Sequence, residues 1–176
     1  PRRRPHNPDA AVADKDRLLQ IQGLRRTRRA AVGDNARMHI ETLGHGPDLV
    51  LIHGWALHGG VFAPLAEHLS DRFRLHLVDL PGHGYSRDPH QPLELAGVAS
   101  MIAARTPPAI WLGWSLGGLF ALRAAASLPT VRGLVMVAAT PRFVRAADWP
   151  HAVDATVFGR FGEELAGDYA GTLRAI

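Results

Sequence analysis

Short apolar runs of strand length alternate along this chain with longer segments whose apolar residues recur at helical spacing. That is the pattern of a sheet wound through helical crossovers. Residues 39–43 alternate apolar and polar side chains, as an edge strand does, and Gly44-His45-Gly46-Pro47 reads as the turn after it. Leu49-Val50-Leu51-Ile52 is continuously apolar, as expected of a strand covered on both faces. Phe62, Leu65, Ala66 and Leu69 then fall at helical intervals, predicting a helix over 62–69. Further strands are predicted at 75–78, 109–112 and 134–137, and further helices at 93–104 and 116–127. The expected fold is α/β, a mostly parallel sheet flanked by helices.

The sharpest change of pattern comes at Ile110-Trp111-Leu112-Gly113-Trp114-Ser115-Leu116-Gly117-Gly118, an apolar strand that breaks into a helix at one serine. Glycines two before and two after Ser115 leave room for a turn too tight for side chains, and such a corner lifts the hydroxyl clear of the sheet. A G-x-S-x-G match alone is weak, and its weight here comes from the strand before it and the leucine- and alanine-rich helix after it. Two other loops at strand ends are rich in glycine and aromatics: His53-Gly54-Trp55-Ala56-Leu57-His58-Gly59-Gly60, and Asp79-Leu80-Pro81-Gly82-His83-Gly84-Tyr85-Ser86. Ligands bind at the carboxyl edge of open α/β sheets. The Trp55 and Leu116 backbone N–H groups are therefore candidate donors to an oxyanion formed at Ser115.

Composition changes this picture little. With 47% hydrophobic and 20% charged residues in 176, the chain is sized for one core. No stretch is apolar enough to predict a membrane span or a secretory signal. The absence of cysteine excludes a disulfide framework and a thiol nucleophile. Charge, however, is uneven: residues 1–37 carry ten Lys/Arg and four Asp, a net of +6, whereas residues 38–176 carry ten Arg and twelve acids, a net of −2. The basic segment, with Arg2-Arg3-Arg4 and Arg25-Arg26-Thr27-Arg28-Arg29, has the charge of a phosphate-binding arm but few large apolar residues and no aromatics. Met38 is read as the natural start, and 1–37 as a disordered or non-native extension.

The three glycine-rich segments, in this order and spacing, resemble the α/β-hydrolase superfamily. Within it, Leu75-His76-Leu77-Val78-Asp79-Leu80-Pro81-Gly82 and Ile110-Trp111-Leu112-Gly113-Trp114-Ser115-Leu116-Gly117-Gly118-Leu119 are similar to the pimeloyl-[acyl-carrier protein] methyl ester carboxylesterases of biotin synthesis. The resemblance implies a cytoplasmic serine carboxylesterase that acts on an ester carried by acyl-carrier protein, with no cofactor and no metal. It implies Ser115 as nucleophile and Trp55 and Leu116 as oxyanion donors, with Trp55 and Trp114 walling the acyl channel; Trp111, in mid-strand, reads as core. It also divides the chain into the extension at 1–37, an N-terminal part of the hydrolase core at 38–139, and the start of a helical cap at 140–176. Neither nucleic acid nor a membrane is an expected partner, and the full-length form is expected to be a monomer.

In that superfamily the triad acid and the histidine base follow the serine in the chain. After Ser115 this chain has one histidine, His151, with Asp148, Asp154 and Asp168, all in the segment that resembles the beginning of the cap. The sheet is thus expected to be incomplete on its C-terminal side, the acid and base to lie beyond Ile176, and the chain as it stands to be nearly inactive and prone to self-association. His53, His58 and His83 lie in the loops near Ser115 but lack a metal-ligand spacing, and they are read as polar surface. Arg142, Arg145, Arg160 and Arg174 are available to an acidic carrier or to a solvated face alike. Two alternatives remain open: a hydrolase of other small esters or lactones on the same scaffold, and a non-catalytic degenerate fragment.

Overall fold

The computed structural model describes residues 38–88, 91–168 and 170–172. The extension at 1–37 and Arg174 lie outside the described residues. Five strands form one sheet: β1 (Ile40–Gly44), β2 (Asp48–Ile52), β3 (Arg74–Val78), β4 (Ala109–Trp114) and β5 (Val131–Val137), in the order β1-β3-β2-β4-β5. β1 runs antiparallel to β3 and every other pairing is parallel. Helices α1 (Ala63–Leu69), α2 (Leu95–Ala103) and α3 (Leu116–Ser127) make the crossovers.

The apolar runs of β2 and β3 are buried on both faces because each face carries its own core. On one side Phe62, Ala63 and Ala66 pack with Leu43, Leu49, Leu51, Leu75 and Leu77. On the other, Val98, Ala99 and Ile102 of α2 and Phe120, Ala121 and Ala124 of α3 pack with Val50, Ile52, Val78 and the fully buried Trp111. Winding proceeds outward from β2 through β3 in one direction and from β4 through β5 in the other. The crevice between the carboxyl ends of β2 and β4 is therefore the point at which strand order reverses, and both Gly54 and Ser115 lie there.

Element boundaries follow local chemistry. The predicted helix at 62–69 is a 3₁₀ turn over Gly59–Phe62 that passes into α1, with Pro64 in its first turn, where no N–H is needed. α2 begins at Leu95 because the Glu94 carboxylate accepts hydrogen bonds from the N–H groups of Ala96 (2.9 Å) and Gly97 (2.6 Å). β5 starts three residues earlier than its apolar run: Ala109 pairs with Val131 and Ile110 with Gly133, so Arg132 is an extra, bulged residue. Among the described residues β5 is an edge of the sheet, with Leu134, Val135 and Val137 36%, 41% and 44% exposed. Apolar side chains beside unpaired strand groups are a template for further strand pairing.

The residues from Thr140 onward form a second compact unit. It contains α4 (Ala155–Gly167), whose N-terminus is capped by Asp154 accepting from the Thr156 N–H at 2.9 Å. Ion pairs join Arg142 to Asp148 (3.5 Å) and Arg145 to Asp154 (4.0 Å). No residue of α4 is buried.

Candidate active site

β4 ends at Trp114 and α3 begins at Leu116, so the whole reversal from strand to helix falls on Ser115. Its φ of 52° and ψ of −118° put a non-glycine residue at positive φ, a conformation that costs on the order of 1–3 kcal/mol and persists only where its surroundings impose it. Here the Ser115 N–H is held by the Val137 carbonyl of β5 (2.9 Å), and its carbonyl accepts from the Gly118 N–H (2.9 Å). Glycine is required on both sides. A Cβ on Gly113 would lie 2.5 Å from the Gly117 carbonyl carbon, and one on Gly117 would run into the backbone oxygens of Ile52 and His53. The Leu116 N–H heads α3, where first-turn donors have no partner within the helix, and the positive end of the helix dipole adds to its pull on an anion.

The loop after β2 comes up against this corner. A Cβ on Gly54 would sit 3.3 Å from Ser115 Cβ, so the missing side chain is what allows the Gly54-Trp55 backbone to approach. Residues 54–57 form a turn closed by the Leu57 N–H to the Gly54 carbonyl at 3.3 Å, with Ala56 at a φ of 59°, the third position of the turn. Among the described residues the three non-glycine residues at positive φ, Ala56, Ser115 and Ala138, follow the carboxyl ends of β2, β4 and β5. Strain is thus gathered at the carboxyl edge of the sheet, where the candidate site lies.

Residues 49–174 match the model of a protein family described as the alpha/beta hydrolase family. The chain belongs to the alpha/beta hydrolase family. Over 136 residues, 77% of this chain, it is 71% identical to a pimeloyl-[acyl-carrier protein] methyl ester esterase of Stenotrophomonas maltophilia (strain R551-3) and 70% identical to the protein of that name from Xanthomonas axonopodis pv. citri. The matched regions are 52% and 54% of those proteins, so this alpha/beta hydrolase chain spans about half the length of the curated relatives it matches. Among solved structures, an esterase from Exiguobacterium antarcticum superposes with a TM-score of 0.72 at 24% identity, covering 78% of this chain and 55% of that one. At that identity it speaks for the fold alone.

Two histidines of this alpha/beta hydrolase correct the sequence reading. His53 is not polar surface: it is fully buried, and both ring nitrogens are engaged. Nδ1–H donates to the Gly54 carbonyl (2.6 Å) while Nε2 accepts from the Leu80 N–H (3.0 Å). His83, half-buried, repeats the arrangement, donating from Nδ1 to the Pro81 carbonyl (2.9 Å) and accepting at Nε2 from the Ala56 N–H (3.2 Å). Asp79 is fully buried and accepts from the N–H groups of Gly59 (2.6 Å) and Tyr85 (3.0 Å), which fixes the glycine-rich loop after β3. Nothing in the sequence separates such histidines from surface ones, because one partner of each ring is a backbone N–H of the other loop, 27 residues away in the chain.

Burial lowers the His53 pKa from the usual 6.5 to about 4, opposed by the hydrogen bond to Gly54 and assisted by the neighbouring His83. Its folded-state pKa is depressed, so the unfolded chain binds the proton more readily. The contribution to stability is complete above pH 6.5 and is lost as pH falls toward 4. The expected result is a decline of about 3 kcal/mol in unfolding free energy across that window, followed by denaturant titration at several pH values. A His53→Asn variant is expected to flatten the decline.

Trp55 and Trp114 are both half-buried, and Trp114 packs on the core cluster that includes Phe62 and Leu51. His151 is exposed, and its ring meets Trp149 edge-on at 6.1 Å. Among the described residues no imidazole hydrogen-bonds the Ser115 hydroxyl.

Proposed function

We propose that this chain carries the nucleophile and oxyanion donors of a serine carboxylesterase that hydrolyses the methyl ester of pimeloyl-acyl-carrier protein in biotin synthesis. The single observation that carries the chemistry is the strained Ser115 at the head of α3 with the Gly54-Trp55 backbone against it. Ser115 Oγ adds to the ester carbonyl carbon, and the carbonyl oxygen becomes an alkoxide facing the Trp55 and Leu116 N–H groups. Collapse expels methoxide, which takes a proton and leaves as methanol, and the acyl group remains on Ser115. Water then adds to the acyl carbon and releases the free carboxylic acid. The proton must leave Oγ for a general base, and neither His53 nor His83 has a ring nitrogen to spare. The reading accordingly assigns the histidine base and its acid partner to sequence outside the described residues.

The substrate class rests on the relatives named above; the fold itself hosts many chemistries. Acyl-carrier protein is the proposed partner, met by arginines of the second unit such as Arg142, Arg145 and Arg160, and the reading puts the protein in the cytoplasm. Among the described residues no helix is long and apolar enough to cross a membrane.

The test is a chimera in which the C-terminal half of the Stenotrophomonas relative follows residue 172. The chain alone is expected to release almost no methanol from pimeloyl-acyl-carrier-protein methyl ester. The chimera is expected to do so with a kcat/KM at least about tenfold above that for an acyl homoserine lactone. A preference for the lactone favours the other-substrate hydrolase, and an inert chimera favours the non-catalytic fragment.

A further inference from the structure

We infer that His53 and His83 act as paired positioning residues for the oxyanion donor, each imidazole holding one of the two peptide planes that flank the Trp55 Cα. The inference rests on the proposed role of Ser115. On one side of Trp55, the Gly54 carbonyl is pinned by His53 Nδ1–H at 2.6 Å. A trans peptide is planar, with its C=O and N–H pointing in opposite directions, so fixing that carbonyl aims the Trp55 N–H the other way. On the other side, the Ala56 N–H is pinned by His83 Nε2 at 3.2 Å. With both planes held, the backbone torsions of Trp55 are set, and the positive φ of Ala56 is imposed on it.

Both rings are anchored to the same external support. The second nitrogen of His53 accepts from the Leu80 N–H, and that of His83 donates to the Pro81 carbonyl within its own loop; with the Ala56 N–H donating to His83 Nε2, the loop after β2 is tied twice to the loop after β3. That loop is itself braced by the Asp79 carboxylate and by the Ser86 hydroxyl, which donates to the Asp79 carbonyl at 2.6 Å. The rings pack together with centroids 5.2 Å apart at 54°. Each must be the neutral Nδ1–H tautomer, because each offers a donor to a carbonyl and an acceptor to an N–H. The two rings differ in which nitrogen touches the Trp55 segment: Nδ1 of His53, Nε2 of His83.

That difference makes a crossed test possible. The Asn side-chain amide sits where Nδ1 does and the Gln amide where Nε2 does. His53→Asn therefore keeps the bond to Gly54 and His53→Gln loses it, whereas His83→Gln keeps the bond to Ala56 and His83→Asn loses it. In the chimera, we expect His53→Gln and His83→Asn to cut the maximal rate of Ser115 labelling by an alkyl fluorophosphonate by about 100-fold, with half-saturating concentration nearly unchanged. His53→Asn and His83→Gln are expected to stay within about tenfold of the parent. The Trp55 amide resonance should move in the first pair and hold in the second, while thermal midpoints fall in all four. Equal effects of Asn and Gln at each position, or labelling rates that simply track the midpoints, overturn the inference. If the parent chimera does not label at all, the serine reading fails, and the Trp55 amide alone decides the positioning role: the crossed shift supports it and its absence overturns it.

Discussion

In the chimera, Ser115→Ala is expected to remove fluorophosphonate labelling from Ser115 completely, with the parent chimera carrying its adduct on Ser115, located by peptide mass spectrometry. Labelling joins Ser115 Oγ to phosphorus with loss of fluoride while the Oγ proton passes to the general base, so it asks of the protein an activated hydroxyl and donors for the phosphoryl oxygen. The structure has Ser115 half-buried at a strained corner between β4 and α3. In the chimera the same substitution is expected to lower kcat for the methyl ester by about 10⁴-fold or more, since removing the nucleophile abolishes the acyl-enzyme route and leaves only what binding and the oxyanion donors can do. An adduct on any other residue, or turnover that survives in Ser115→Ala, would remove Ser115 from the chemistry.

The second large effect is on stability. Gly117→Val is expected to destabilise the sheet unit by about 3 kcal/mol or more, a large part of the total for a domain of this size, read as a shift in denaturant midpoint. The reason is what the added carbon meets: the backbone at the end of β2, with the His53 oxygen at 2.6 Å and the Ile52 carbonyl carbon at 2.7 Å. Ile52 ends a strand paired on both sides, and backbone there cannot swing away as a side-chain tip would. Gly159→Ala in α4 provides the contrast. A Cβ there meets nothing within 4 Å, so the change should protect the helix by about 0.5–1 kcal/mol through the ordinary helix preference for alanine, seen as slower amide exchange along α4. A Gly117→Val protein as stable as its parent would mean that the corner is not built as described.

Much of this was legible in advance because the signals are local. Period and apolar continuity fall on β2, β3 and α3 within a residue or so, since an apolar run has one way to be buried on both faces of a sheet and a helical stripe one way to face it. Gly113, Ser115 and Gly117 marked the corner because its tightness excludes side chains at those spacings. Boundaries set by a hydrogen bond, such as the start of α2 at Glu94, or by a bulge, such as Arg132 in β5, were not legible. A cap or a register shift depends on a partner whose position the chain has not yet defined.

By itself, then, the sequence determined the α/β winding, the strained serine and the glycines that let the loop after β2 approach it, because steric exclusion and apolar periodicity act between near neighbours. Only the tertiary structure decided what His53 and His83 do. Each closes hydrogen bonds between the loops after β2 and β3, about 27 residues apart in the chain, and a ring's tautomer and charge are set by partners that exist only once both strands lie side by side.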